Sequence, residues 1–161
     1  MSLLFALTLA SALGCGLMAG AFYAFSSFVM RGFARLPPSQ GIAAMQSVNV
    51  TAVRPAFMAG FLGTALACLA LAVVSFLDRH APGAAWRLAG SLLYLAGGFV
   101  ETIVFHVPRN NALARVDAGS AEGAAYWAHY LKEWIPGNHV RTLACVAAAA
   151  LLTVALLKNG S

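Results

Sequence analysis

The chain has 161 residues, 61% of them apolar and 9% charged, with 10 Lys and Arg against 5 Asp and Glu for a net charge of +5. A soluble domain is about 45–50% apolar and about 25% charged, and a chain this short cannot hide so much apolar surface from water. A mean hydropathy of +0.79 excludes disorder, and three cysteines, at 15, 68 and 145, do not make a secreted disulfide scaffold. What remains is an integral membrane protein of one domain. Nucleic acid is rejected as a partner despite a pI near 9.6, because the few basic residues sit at the ends of apolar runs, where headgroups explain them.

A spanning helix needs about 20 mostly apolar residues. The run from Met1 to Met30 has no charge and holds the first span, over about 3–29. It lacks a basic n-region and is too long for a cleaved signal, so it reads as a retained helix. Cys15 in Ala12-Leu13-Gly14-Cys15 only weakly resembles a lipoprotein site. Gly16-x-x-x-Gly20, continuing to Tyr23 and Ser27, is a small, polar stripe suited to close helix contact and offers a face for a homo-oligomer.

The connection over 31–54 is long. Pro37-Pro38-Ser39 opens a short helix in it, and Ile42, Met45, Asn49 and Val53 follow at helical spacing. Asn49 interrupts that apolar stripe. A buried amide needs a partner, and contact with a ligand is one way to supply it. The second span covers about 55–77, with Pro55 in the first turn, where its missing N–H costs nothing. After a short 78–85 link, the third span covers about 86–107. In it Ser91, Tyr94, Gly98 and Glu101 recur at three- and four-residue steps, so the α-helical register puts Glu101 on the bundle-facing side with Tyr94.

Glu101 is the one acid within an apolar run. An ionised carboxylate in hydrocarbon costs roughly 3 kcal/mol or more on insertion scales. Glu101 is therefore an acid or base of raised pKa, or is bonded to a tyrosine or an arginine. His106, in the last turn of that span, can titrate near neutrality or donate a hydrogen bond. Asn110 and Asn111 after Pro108 either bind a carbonyl or stop the helix.

The 108–137 connection is long as well, and parity places it on the same side as 31–54. Ser120 opens a second short helix, with Trp127, Tyr130, Leu131 and Trp134 as its apolar stripe. Pro136-Gly137 is expected to end it, and Asn138 to cap the fourth span, over about 138–157. Asn138, Arg141 and Thr142 share a helix face, whereas His139 and Arg141 differ by about 200° and cannot both meet one ligand. The expected fold is an all-α, four-helix membrane bundle with two short amphipathic cap helices on one side. Counting positive charges puts 31–54 and 108–137 in the cytoplasm and the N-terminus outside, as for a multi-pass protein of a bacterial inner membrane.

No metal-ligand spacing such as H-E-x-x-H or C-x-x-C appears. His106, His129 and His139 would have to converge in space to hold a metal, so no metal or haem is assigned, while a metal- or haem-dependent oxidoreductase stays as an alternative. The isolated cysteines read as small apolar residues.

Four stretches carry a resemblance: FSSFVMRGFARLPP from Phe25 to Pro38, QGIAAMQSVN from Gln40 to Asn49, VPRNNAL from Val107 to Leu113, and W-x-x-x-N-H-V-R-T from Trp134 to Thr142. In order and spacing the chain resembles the bacterial DUF1772 proteins, grouped with the fungal anthrone oxygenases. It departs from their pattern at His106, where an Asn often stands, and at Glu101, which lies outside the usual motif. The resemblance implies oxidation of an anthrone-like phenolic tricycle by O₂ without flavin or metal. Such a reaction needs a base, an oxyanion donor and an apolar slot. His139 or His106 would be the base; Glu101 is a catalytic candidate through its place in an apolar run rather than through the resemblance. Arg141, Asn110 and Asn138 would hold the oxyanion, Trp127, Trp134 and Phe105 would line the slot, and Asn49, Asn111 and Tyr94 would add substrate contacts. Beside this reading stands a small membrane protein without catalysis, a partner subunit or a binder of lipophiles.

Overall fold

A computed structural model describes residues 2–158 of the chain; Met1 and residues 159–161 lie outside it. The described residues are helical with no strand. Four helices are long and apolar enough to cross a membrane: α1 (Leu3–Ala34), α3 (Pro55–Leu77), α4 (Ala84–Leu113) and α5 (Ala121–Lys158). The shorter α2 (Pro38–Ala52) lies between the first two. The long helices form a ring in which α1 packs on α3, α3 on α4, α4 on α5, and α5 back on α1. Leu13, Leu17, Leu66, Leu69, Leu143 and Val146 face outward. Outward-facing leucine and valine are what a bundle in lipid presents, so the chain is a membrane protein.

The ring holds two cores. One is the bundle interior, with Cys15, Met18, Phe22, Phe61, Cys68, Leu71, Tyr94, Cys145 and Leu152. The other lies under α2, where Met30, Ile42, Met45, Leu113, Trp127, Tyr130 and Trp134 meet. Gln46 fixes α2 over this second core by donating from Nε2 to the carbonyls of Leu113 (2.9 Å) and Val116 (3.1 Å). Gly41 lets α2 come close, since a Cβ there would stand 2.9 Å from the Phe33 carbonyl oxygen and 3.0 Å from the Trp127 ring.

Two local expectations are corrected. The Pro136-Gly137 stop does not operate: the second cap helix and the fourth span are one 38-residue rod with Pro136 inside it. In a membrane helix no water competes for the freed carbonyl, and neighbouring helices fill the notch. Here the filling is aromatic. A Cβ on Gly137 would collide with Phe105 and stand 3.2 Å from His106 Nε2. Asn138 consequently lies inside a helix rather than capping one. Nor does the third helix stop at Pro108, as it runs on to Leu113.

The second correction concerns helix type. α1 contains a π-helical turn at Phe25–Val29, and α4 contains two, Leu95–Val100 and Thr102–His106. In an α-helix, residues five apart differ by about 140°. The wider turn brings such residues together, and Glu101 Oε1 lies 3.2 Å from His106 Nε2. Glu101 thus turns toward His106 instead of following Tyr94, whose hydroxyl donates to the Phe61 carbonyl (3.1 Å). π turns are rare and concentrate at functional positions.

Gly16 and Gly20 face outward, and a Cβ at either would meet nothing within 4 Å. The close approach of α1 to α3 is made at Gly14, against Thr64.

Candidate functional site

Between the two cores lies a chamber of about 610 Å³, within the size range of small-molecule sites. Its floor is Phe22, Phe57, Met58, Phe61 and Phe99, and its roof is Met45, Val48 and Trp134. The polar groups on its wall include Asn49, Thr102, Asn110 and Arg141. All four long helices and α2 contribute.

Arg141 is 6% exposed and is held from three directions. Its Nε donates to Asn138 Oδ1 (2.8 Å), its Nη1 donates to Thr102 Oγ1 (3.2 Å), and its guanidinium carbon lies 4.1 Å from the Phe22 ring centroid and 5.1 Å from that of Trp134. Among the described residues no carboxylate comes within ion-pair distance of it. A buried guanidinium without a carboxylate is costly, and an anionic oxygen in the chamber that Arg141 lines would relieve that cost.

Asn138, one turn earlier, holds the arginine. Its Nδ2 donates to the Phe22 carbonyl (2.8 Å) and to Ser26 Oγ (2.7 Å), both on α1. Ser26 Oγ also lies 2.9 Å from His139 Nδ1 and 3.1 Å from Thr142 Oγ1, and Thr142 Oγ1 donates to the Asn138 carbonyl (2.7 Å). One assignment satisfies every contact: Ser26 donates to Thr142 and accepts from Asn138 and from a proton on His139 Nδ1. The sequence read Asn138 and Arg141 as a pair. It did not find Ser26 and Thr102, small hydroxyl residues whose role appears only when α1 and α4 are brought against α5.

Asn110 Oδ1 accepts from Tyr130 Oη (2.8 Å) and from Trp134 Nε1 (3.0 Å), which fixes the indole at the roof. Among the described residues Asn49 Nδ2 is buried without a well-directed hydrogen bond, a donor available on the wall. A buried amide donor left unpaired costs about 1–3 kcal/mol, which a carbonyl or phenolate oxygen in the chamber would recover.

The other candidates lie off the wall. His106 is fully buried, its ring 4.8 Å from the Trp134 ring and 5.2 Å from Phe105, centroid to centroid. Neither of its nitrogens makes a well-directed hydrogen bond, nor does Glu101 Oε2. His139 is on the outer side of α5, tied to Ser26, Trp127 packs under Gly41, and Asn111 is exposed. Phe105 lies beneath the Arg109 guanidinium, 3.6 Å from its carbon, and Arg109 Nε bonds Glu133 Oε2 (2.9 Å). The structure therefore brings Arg141, Asn49, Asn110 and Trp134 together at one chamber. It holds Asn138 and His106 directly behind them, and leaves Tyr94, Phe105, Asn111, Trp127 and His139 elsewhere. Among the described residues no three His, Cys, Asp or Glu side chains come together as a metal site.

The anthrone oxygenase family model matches residues 54–151. The chain belongs to the anthrone oxygenase family. The matched segment holds three of the four membrane helices and supplies Thr102, Asn110, Trp134 and Arg141. The family region begins after Asn49, Met45, Phe22 and Phe25, so the α1 and α2 side of the chamber lies outside it. No curated protein and no solved structure matches the chain.

Proposed function

We propose that this family member oxidises a lipophilic phenolic or polycyclic substrate with O₂, in the manner its family name describes, with the substrate anion held by Arg141. The observation that carries the reading is the buried guanidinium of Arg141, without a carboxylate partner among the described residues, on the wall of an apolar chamber.

An anthrone has a methylene opposite a carbonyl, and loss of a methylene proton gives an extended enolate. Arg141 and Asn49 would take the enolate oxygen, favouring the anion over the neutral ketone. The anion transfers an electron to O₂, and the resulting pair closes a C–O bond to give a hydroperoxide. Loss of the second methylene hydrogen as a proton, with O–O cleavage, forms the new carbonyl and releases water. One oxygen atom ends in the quinone and the other in water, and the four electrons leaving the CH₂ group reduce the O₂. The reaction so written uses no metal, haem or flavin.

Neither histidine proposed from sequence lines the chamber. The acceptor for the first proton in this reading is the Glu101–His106 pair, which stands behind Trp134 and would take the proton through a water between it and the chamber. The placement proposed is a bacterial inner membrane, with the 31–54 and 108–137 connections in the cytoplasm and the chamber near that surface.

The test is O₂ consumption by protein in vesicles with an anthrone, compared with Arg141→Ala. Loss of the enzymatic rate in the variant with helicity unchanged supports the reading. Equal rates in both, or no acceleration over empty vesicles, leaves a binder of lipophiles in its place.

A further inference from the structure

The chamber has two edges, and they differ in chemistry. At one edge Ser47 and Thr51 of α2, exposed and polar, stand at the level where α3 begins. At the other, Leu62 of α3 and Ile103 and Val107 of α4 line the chamber and are also 41%, 47% and 40% exposed on the outer surface of the bundle. Residues that both line a cavity and face outward mark an opening. Leu62 lies seven residues into α3 from Pro55, about 10 Å along the axis at 1.5 Å per residue, which puts this opening in the hydrocarbon layer.

The opening has a structural cause. α3 packs on α4 along Ala84–Tyr94 and on the π turn Leu95–Val100, but makes no comparable contact with the second π turn, Thr102–His106. There α4 leans on α5 instead, with Phe105 and His106 against Gly137. The Pro136-Gly137 notch thus draws the end of α4 toward α5 and away from α3.

From this geometry we infer that the chamber is loaded sideways from the bilayer, between Leu62 of α3 and Ile103 of α4, by molecules already dissolved among the acyl chains. The inference rests on the chamber being the ligand site proposed above, though not on any chemistry taking place in it. A flat apolar ring passes between the two helices edge-first, and its oxygen meets Arg141 and Asn49 only at the far wall. The ligand keeps its apolar surface out of water throughout, so no desolvation step opposes entry.

The test uses the full-length protein with Trp86→Phe in phosphatidylcholine vesicles, where Trp134 is the tryptophan on the chamber wall. The probe is a phosphatidylcholine carrying an anthraquinone ring part-way along one acyl chain, a tryptophan quencher that reaches the chamber only through the hydrocarbon layer. Saturable quenching is expected. Leu62→Phe with Ile103→Phe should weaken it about tenfold, the effect of about 1.4 kcal/mol of crowding, while Ile103→Ala, which widens the gap, quenches at least as well as the parent. Quenching that stays linear with the tethered ring but saturates with water-added anthraquinone sulfonate overturns the inference in favour of entry past Ser47 and Thr51. Absence of saturable quenching by either probe overturns it outright. Saturable tethered quenching without O₂ consumption leaves sideways loading standing and removes the oxygenase reading.

Discussion

The guanidinium of Arg141 lies across the Phe22 ring, 4.1 Å from its centroid, so this cation on the chamber wall is braced by an aromatic face contributed by another helix. A desolvated cation on a ring gains about 2 kcal/mol, and the contact fixes the position of the planar fork at the chamber wall. Arg141→Lys should therefore keep the charge and lose the geometry. The expected outcome is a fall in kcat for anthrone oxidation of about 10²-fold, the scale of removing one oxyanion donor. Initial rates of O₂ uptake check it, and Arg141→Ala should fall at least as far.

Asn49 presents a buried amide donor that makes no well-directed hydrogen bond among the described residues. Asn49→Leu removes an unpaired polar group, so the protein should be no less stable in thermal melts. Binding of an anionic ligand should weaken about tenfold, since a hydrogen bond to a charged group contributes about 1.5–3 kcal/mol. Asn49→Asp sets a carboxylate facing the ligand oxygen and should weaken it further. Titration of Trp134 fluorescence distinguishes the three proteins.

Gly137 is where α4 meets α5. Gly137→Ala drives a methyl into Phe105 and against His106, and overpacking of this kind costs about 1–3 kcal/mol. A lower Tm in detergent is expected, without loss of helicity. Pro136→Ala restores an N–H donor and removes no contact of this kind, so it should leave the Tm equal or higher.

Asn110 accepts two hydrogen bonds through a single oxygen. Asn110→Ala leaves the Tyr130 hydroxyl and the Trp134 indole N–H without their acceptor, at about 1–3 kcal/mol for each buried group. The freed indole should show as a shift in tryptophan emission and a lower Tm.

Ser26 accepts from Asn138 and from His139. Ser26→Ala should cost about 1–3 kcal/mol of stability and release Asn138, loosening Arg141 through it. Because Ser26 does not line the chamber, the expected signature is a fall in kcat with KM nearly unchanged, read from the same O₂ traces.

The apolar runs by themselves determined that the chain is a four-helix membrane bundle, because hydrocarbon leaves a backbone only helices or a closed barrel, and about 20-residue runs without barrel-like alternation leave the helix. The spacing from Trp134 to Thr142 likewise placed Arg141 on the face of Asn138 and opposite His139, since 3.6 residues per turn allows nothing else. The short-range punctuation was another matter. Pro136-Gly137 reads as a stop to any local rule, and only the fit of Phe105 and His106 against Gly137 shows why the helix passes through it. The meeting of Glu101 with His106 depends on a π turn, which no residue type encodes. The pairing of Ser26 with Asn138 depends on α1 lying beside α5. Which of the polar residues share a chamber is a fact of helix packing, fixed by contacts between residues up to 116 positions apart, and the tertiary structure alone decided it.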